Sequence, residues 1–258
     1  MSRGNRDKRQ QQEPRGRGKH PPSAPQVQRP SPVPLCAYCQ ERPGVTVEHV
    51  VARCFFGSVP PKRAIKVPAC RECNEGRGDG GQRPLTMDEE YVRTVLALEH
   101  RSSDHRVAAN LLTNEIPRSY DNSPGLLRRI AHRMSVVDAT ARGGIIVPSV
   151  PLITVETDRL IRVLKKIARG LFYAVNERPL PQDCPVTCSP RLDAEKLAEI
   201  SRRMDGLKRT TRWWNIGEEG GFRFRCAMEH EHSTRSLWLL IFYDSVAFGV
   251  HTVPPKTP

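Results

Sequence analysis

The sequence has no apolar run long enough to span a bilayer. Its longest, LWLLIFY at residues 237–243, is the size of one strand, whereas a spanning helix needs roughly 18 apolar residues in a row. Apolar residues make up only 38% of the 258-residue chain. That is below the usual globular share, so part of the chain is expected to lie outside any core. The basic N-terminus has no apolar segment behind it, which argues against a secretory signal and predicts a cytoplasmic location. In that compartment thiols stay reduced, so the eight cysteines are not expected to form disulfides.

Acidic charge is also in deficit, with 28 Asp/Glu against 41 Lys/Arg and a formal net charge of +13. An excess of this size captures polyanions, and nucleic acid is the expected partner rather than a membrane. Residues 1–35 carry eight Lys/Arg, two Asp/Glu and seven prolines. Such a segment cannot bury enough surface to offset its ordering entropy. Residues 1–34 are therefore expected to be a disordered basic arm, serving either as a solubilising tail or as a DNA contact.

Order is expected to begin near Leu35, with short strands and loops over 36–80. The period of the apolar residues then predicts helices. MDEEYVRTVLALEH places Tyr91, Val95 and Leu98 on one face, and residues 104–116 and 124–136 continue in the same manner. GGIIVPSVPLITVE reads as one strand or two, broken by Pro148 and Pro151. TDRLIRVLKKIARGLFYAV is the clearest helix, with a stripe from Leu160 to Phe172 and Thr157 or Asp158 as cap. DAEKLAEISRRM is another helix. From Trp213 the apolar period becomes two, which predicts two or three antiparallel strands.

The cysteines carry the sharpest signal. Cys36-Ala-Tyr-Cys39 and Cys70-Arg-Glu-Cys73 are two C-x2-C pairs separated by thirty residues. Each tight turn aims two thiolates at one point, and two such turns complete a tetrahedron around a structural zinc. A closed four-sulfur shell leaves no position for chemistry; it staples a region too small for its own core. Between the pairs stands VTVEHVVARCFFG, with Glu48 and His49 adjacent, and Asn74 follows the last cysteine directly.

The combination C-x2-C, VEHVVAR and VPACRECN resembles the HNH, or ββα-metal, endonucleases of the zinc-stapled type. The resemblance covers about residues 36–80 and extends at most to 100. It implies a small zinc-bound ββα-metal module over 35–100; the helix and strand periods beyond it predict an α+β domain of unknown role over 101–258. It further implies metal-dependent hydrolysis of DNA phosphodiester bonds. His49 would be the general base, and Glu48 and Asn74 would be oxygen ligands of a catalytic divalent ion, Mg2+ or Mn2+. Arg53 and Arg77 would grip the nucleic acid. A histidine with an ordinary pKa of about 6.5 can accept a proton from water at neutral pH. Neighbouring strand residues point to opposite faces, so Glu48 and His49 can divide these roles only where the strand twists or ends. No Asn lies between His49 and Cys70, so the His49 ring would be oriented by a backbone carbonyl or another side chain. The alternative function is a non-catalytic, zinc-stabilised nucleic-acid-binding module.

Other residues have plainer readings beside functional ones. Asn74 is also a candidate helix cap, and Cys54 beside Phe55 and Phe56 a buried thiol. Cys184, Cys188, Cys226, His230 and His232 invite a second metal site, against a reading as core and surface residues. Trp213 and Trp214 are stacking candidates or core and rim residues. Arg162, Lys165, Lys166 and Arg169 are expected to form a solvated helix face.

Overall fold

In the computed structural model the described residues are 33–254, apart from 59–60, 76–83, 100–104, 123, 141–142, 208, 218–219 and 232. Nearly all of the expected basic arm lies outside them.

The described chain starts with a hairpin of two short strands, β1 (Thr46–His49) and β2 (Lys66–Ala69), which pair antiparallel. Between them a 3-10 turn, Arg53–Phe56, buries Phe55 and Phe56. Helix α1 (Arg71–Glu75) begins directly after Cys70, and α2 (Leu85–Ala97) follows. Next, α3 (Arg106–Asn110) runs through a π-helical turn at Leu111–Glu115 into α4 (Ile116–Asn122), and α5 (Pro124–Ala131) follows.

The helix expected over 124–136 stops at Ala131, and strand β3 (Met134–Thr140) begins where Val136 and Val137 favour extended backbone. Its partner β4 (Ile146–Ile153) contains both prolines expected to break it. They are tolerated because a two-stranded sheet leaves each strand an unpaired edge, where no amide hydrogen is required. Helix α6 (Thr157–Asn176) matches the expected stripe. It is entered from Glu156 without a side-chain cap, so neither Thr157 nor Asp158 has that role. Strand β5 (Val186–Leu192) precedes α7 (Ala194–Asp205), whose Asp193 cap accepts a hydrogen bond from the Lys196 amide at 2.8 Å.

The last strands are β6 (Trp214–Ile216), β7 (Phe222–Met228), β8 (Ser236–Phe242) and β9 (Val246–Thr252). With β5 they form an antiparallel sheet in the order β5-β9-β8-β7-β6. The sheet has more strands than expected because β5 and β6 extend its two sides. Strand β8 lies at its centre, which explains its unbroken apolar sequence. Trp238, Leu240 and Phe242 face the main core, while Leu239 and Ile241 face a second cluster completed by Met204 of α7. A strand covered on both faces is apolar on both, and the one polar residue of β8, Ser236 at its start, is buried with its hydroxyl bonded to Thr252. The fold is mixed α+β.

Helix α6 lies under the main core and packs against α2, β2, β5 and β9. The cysteine hairpin joins the same core. Phe55 meets Phe242 with ring centroids 5.4 Å apart, and the Tyr243 hydroxyl donates to the Phe55 carbonyl at 3.0 Å. Residues 33–258 therefore make one compact unit, and its core is not divided at residue 100. Eight hairpin residues cannot enclose a core alone, so they share that of the sheet.

Candidate functional site

The two C-x2-C turns converge. Their four sulfurs lie within 4.8 Å of one another, and Cys39 Sγ is 3.8 Å from Cys70 Sγ. In a tetrahedron with Zn–S bonds of about 2.3 Å, the S···S edge is about 3.8 Å. This group is able to hold a metal ion such as zinc. Backbone geometry builds it. The Cys36 amide donates to the Arg42 carbonyl at 2.9 Å and the Gln40 amide to the Cys36 carbonyl at 3.0 Å, which closes the first turn. The Ala37 amide donates to the Pro68 carbonyl, tying that turn to β2. The Cys73 amide donates to Cys70 Sγ at 3.4 Å. The Cys73 thiol beside Cys36 holds the Cys36 thiol down at about 4, against the effect of burial. Cys73 itself is pushed up by the same contact. A set that concentrates negative charge on sulfur is one that a cation completes.

The register of the hairpin sorts the expected catalytic residues. Thr46 is opposite Ala69 and Glu48 opposite Val67, and these residues share the inner face. His49 is opposite Lys66, and on that outer face Val47 is 63% exposed. Asn74 of α1 belongs with the inner face, since its Nδ2 donates to Thr46 Oγ1 at 3.0 Å. Thr46 Oγ1 donates in turn to the Ala69 carbonyl at 2.8 Å. The threonine hydrogen is thus used, which fixes the Asn74 amide group as donor and leaves its oxygen directed elsewhere. Asn74 lies within α1, not at its cap.

Glu48 is buried and accepts a hydrogen bond from Lys166 Nζ at 2.8 Å. The same ammonium reaches Glu89 of α2 at 2.5 Å. Sequence reasoning assigned Lys166 to a solvated face and gave Glu89 no role. Both are buried, and together with Glu48 they form a triad with one net negative charge. Only the packing of α6 on α2 and β2 reveals it. Burial raises the Glu48 carboxyl above its ordinary value, against the pull of Lys166. For Lys166 the two carboxylates outweigh burial and raise its pKa. Asp88 has a similar setting, with Arg162 at 2.5 Å and Arg159 at 3.6 Å. Arg169 also leaves solvent and donates to the carbonyls of Leu180 and Pro181, each at 3.1 Å.

His49 is half-buried and is the last residue of β1. Among the described residues no hydrogen bond to its ring is found. Burial lowers its pKa, and Lys66, Arg53 and Lys166 lower it further. The ring is therefore neutral at pH 7 and able to take a proton. Arg53 and Lys66 are exposed and give the outer face a positive surface. Arg77 lies outside the described residues.

The remaining candidates are quieter. Burial pushes the Cys54 thiol up to about 12, so it is unreactive. Cys184 donates to the Val253 carbonyl at 2.8 Å, and Cys226 is buried in the main core. Among the described residues, which exclude His232, Cys36, Cys39, Cys70 and Cys73 are the one group that could hold a metal ion. Trp214 is 52% exposed and stacks on Phe224, while Arg223 lies over the Trp213 ring at 5.2 Å. Among the described residues no helix is long and apolar enough to cross a membrane. Comparison of the chain with models of known protein families, with curated proteins and with solved structures gave no match.

Proposed function

We propose that the protein is a zinc-stapled nuclease of the HNH layout, which hydrolyses DNA phosphodiester bonds with His49 as general base. One observation carries this reading: a buried, net negative triad, Glu48–Lys166–Glu89, stands directly behind a neutral histidine on a four-cysteine hairpin. Burying a charge without complete compensation costs stability. Such an arrangement points to use rather than to support.

In this reading Arg53 and Lys66 draw the phosphate to the outer face beside His49. A His49 ring nitrogen accepts the proton of the attacking water. His49 ends β1, so its ring can turn toward the strand's edge, where the inner-face groups begin. Glu48 and the side-chain oxygen of Asn74 are the groups that would hold a divalent ion, Mg2+ or Mn2+. Such an ion would neutralise charge on the phosphate and the leaving oxygen. Lys166 must then share or release Glu48. Zinc on the four sulfurs keeps β1, β2 and α1 in register.

A second reading is a non-catalytic zinc module that binds nucleic acid. It is favoured by the register, which sets His49 and Asn74 on opposite faces of the hairpin. The two are separated by incubating purified protein with supercoiled plasmid in Mg2+ or Mn2+. EDTA and His49→Ala serve as controls. Nicking that needs the metal and disappears in the variant supports hydrolysis. DNA retardation without cleavage in either metal supports the binding module and overturns the nuclease.

A further inference from the structure

A groove of about 680 Å3 opens where β6 and β7 approach β2 and the last turn of α6. Trp214, Phe224, Ile65, Tyr173, Val175 and Lys66 are among its lining residues. A volume in this range takes a ligand the size of a nucleotide. The cysteine hairpin is fixed against this side of the sheet. The Gly217 amide, one residue past β6, donates to the Lys62 carbonyl at 3.0 Å. A Cβ on Gly217, whose φ is +84°, would stand 2.6 Å from the Phe56 ring. The walls of the groove are therefore held in place by the same core that holds His49.

Its surface suits a planar ring. Trp214 lies opposite Phe224 in the β6–β7 register and stacks on it, with centroids 6.0 Å apart and planes at 19°. Phe224 is fully buried, whereas half of Trp214 is open to solvent. The indole is thus held flat by a fixed partner and still presents apolar surface. Trp213 differs, since Arg223 lies over its ring. Charge supplies the rest. Among the lining residues the one cation, Lys66, is balanced by the one acid, Glu177, so the groove is close to neutral. Further cations stand beside it. Lys62 and Arg212 are exposed, and Arg212 adjoins Thr211, another lining residue. Among the described residues Lys62, Lys66 and Arg212 have no ion pair. A neutral aromatic floor suits a base, and unpaired cations next to it suit its phosphates.

Resting on the nucleic-acid partner that both readings above share, and not on hydrolysis, we propose that this groove binds an unpaired nucleotide of single-stranded DNA, its base stacked on Trp214 and its phosphate against Lys66. A base inside a duplex has both faces covered by its neighbours, so only an unpaired one can lie on the indole. Lys66 is directly opposite His49 in the hairpin. A strand anchored in the groove therefore has its backbone on the face that carries His49, and the DNA this face engages is single-stranded at that point.

Fluorescence anisotropy of the full-length, zinc-loaded protein with labelled oligothymidylate, and with a blunt duplex of equal length, is the test; no Mg2+ or Mn2+ is added. The single strand is expected to bind at least tenfold tighter than the duplex and to quench tryptophan emission. Trp214→Ala is expected to weaken single-strand binding by roughly 5–150-fold, the usual share of one stacked base, and Trp214→Phe to recover most of it. If Trp214→Ala unfolds the chain by circular dichroism, Trp214→Thr, which suits a strand, takes its place. Equal affinity for strand and duplex, or undiminished single-strand binding by the folded Trp214→Ala or Trp214→Thr variant, overturns the inference and leaves the nuclease reading standing. Single-strand binding that depends on Trp214, in a protein that nicks no plasmid, supports the inference and overturns the nuclease. A protein that binds neither DNA overturns both.

Discussion

Replacing Lys166 with Met tests the buried triad directly. Lys166 Nζ lies 2.8 Å from Glu48 and 2.5 Å from Glu89, and all three residues are at most 7% exposed. Met keeps most of the volume and removes the cation. Two buried carboxylates are left facing each other, which costs about 3–5 kcal/mol when one partner of such a set is lost. For a folded unit of this size each kcal/mol lowers Tm by about 2–4 °C, so a fall of roughly 10 °C is expected. The loss has a signature in pH. The Glu48 carboxyl already lies above its ordinary value, and Lys166 is what holds it down. In the variant it rises further. A carboxyl whose folded pKa exceeds its unfolded pKa stabilises fully below the unfolded value of about 4.3, and that stability is lost as pH rises through the folded value. Urea melts should therefore show a larger deficit at pH 8 than at pH 5. Neutralising all three positions, as Glu48→Gln/Lys166→Met/Glu89→Gln, should recover most of the loss. A deficit equal at both pH values, or none at all, would refute the triad as a charged, buried unit.

Three further outcomes are expected. Metal analysis should find one zinc per chain, and Cys39→Ser/Cys70→Ser should lose both the zinc and the cooperative melt, since hairpin and sheet share one core. If plasmid nicking is seen, its rate should rise along an acidic limb centred below the ordinary histidine value of about 6.5 and level off by neutral pH. The reason is that His49 is lowered and acts in its neutral form; His49→Ala should cut the rate by about 10²–10⁴-fold, the usual share of a general base. Gly170→Ala should destabilise although it lies inside a helix, where Ala normally gains about 1 kcal/mol. The added Cβ would stand 2.8 Å from the Tyr38 hydroxyl and 2.9 Å from Val50, and overpacking of this kind costs about 1–3 kcal/mol. An unchanged or higher melting temperature would mean that α6 approaches the cysteine hairpin less closely.

The sequence by itself determined the elements whose signal is local. Two C-x2-C turns announced a four-sulfur group because each pair is set by a turn of four residues. The α6 stripe and the helix over 194–205 were legible because helix period is written in neighbouring residues, whereas the cap expected at Thr157 or Asp158 is not formed. Tertiary structure decided whatever depends on distant partners. Lys166 and Arg169 look like a solvated face until α2 and the segment around Leu180 are packed against them. The end of the helix at Ala131 was hidden because an apolar pattern continues into β3 at a different period. The common core of hairpin and sheet could not be read either, since Tyr243 and Phe55 are 188 residues apart. Charge and period are properties of a segment, whereas burial belongs to whatever that segment meets, and only folding brings Glu48, Glu89 and Lys166 to one point.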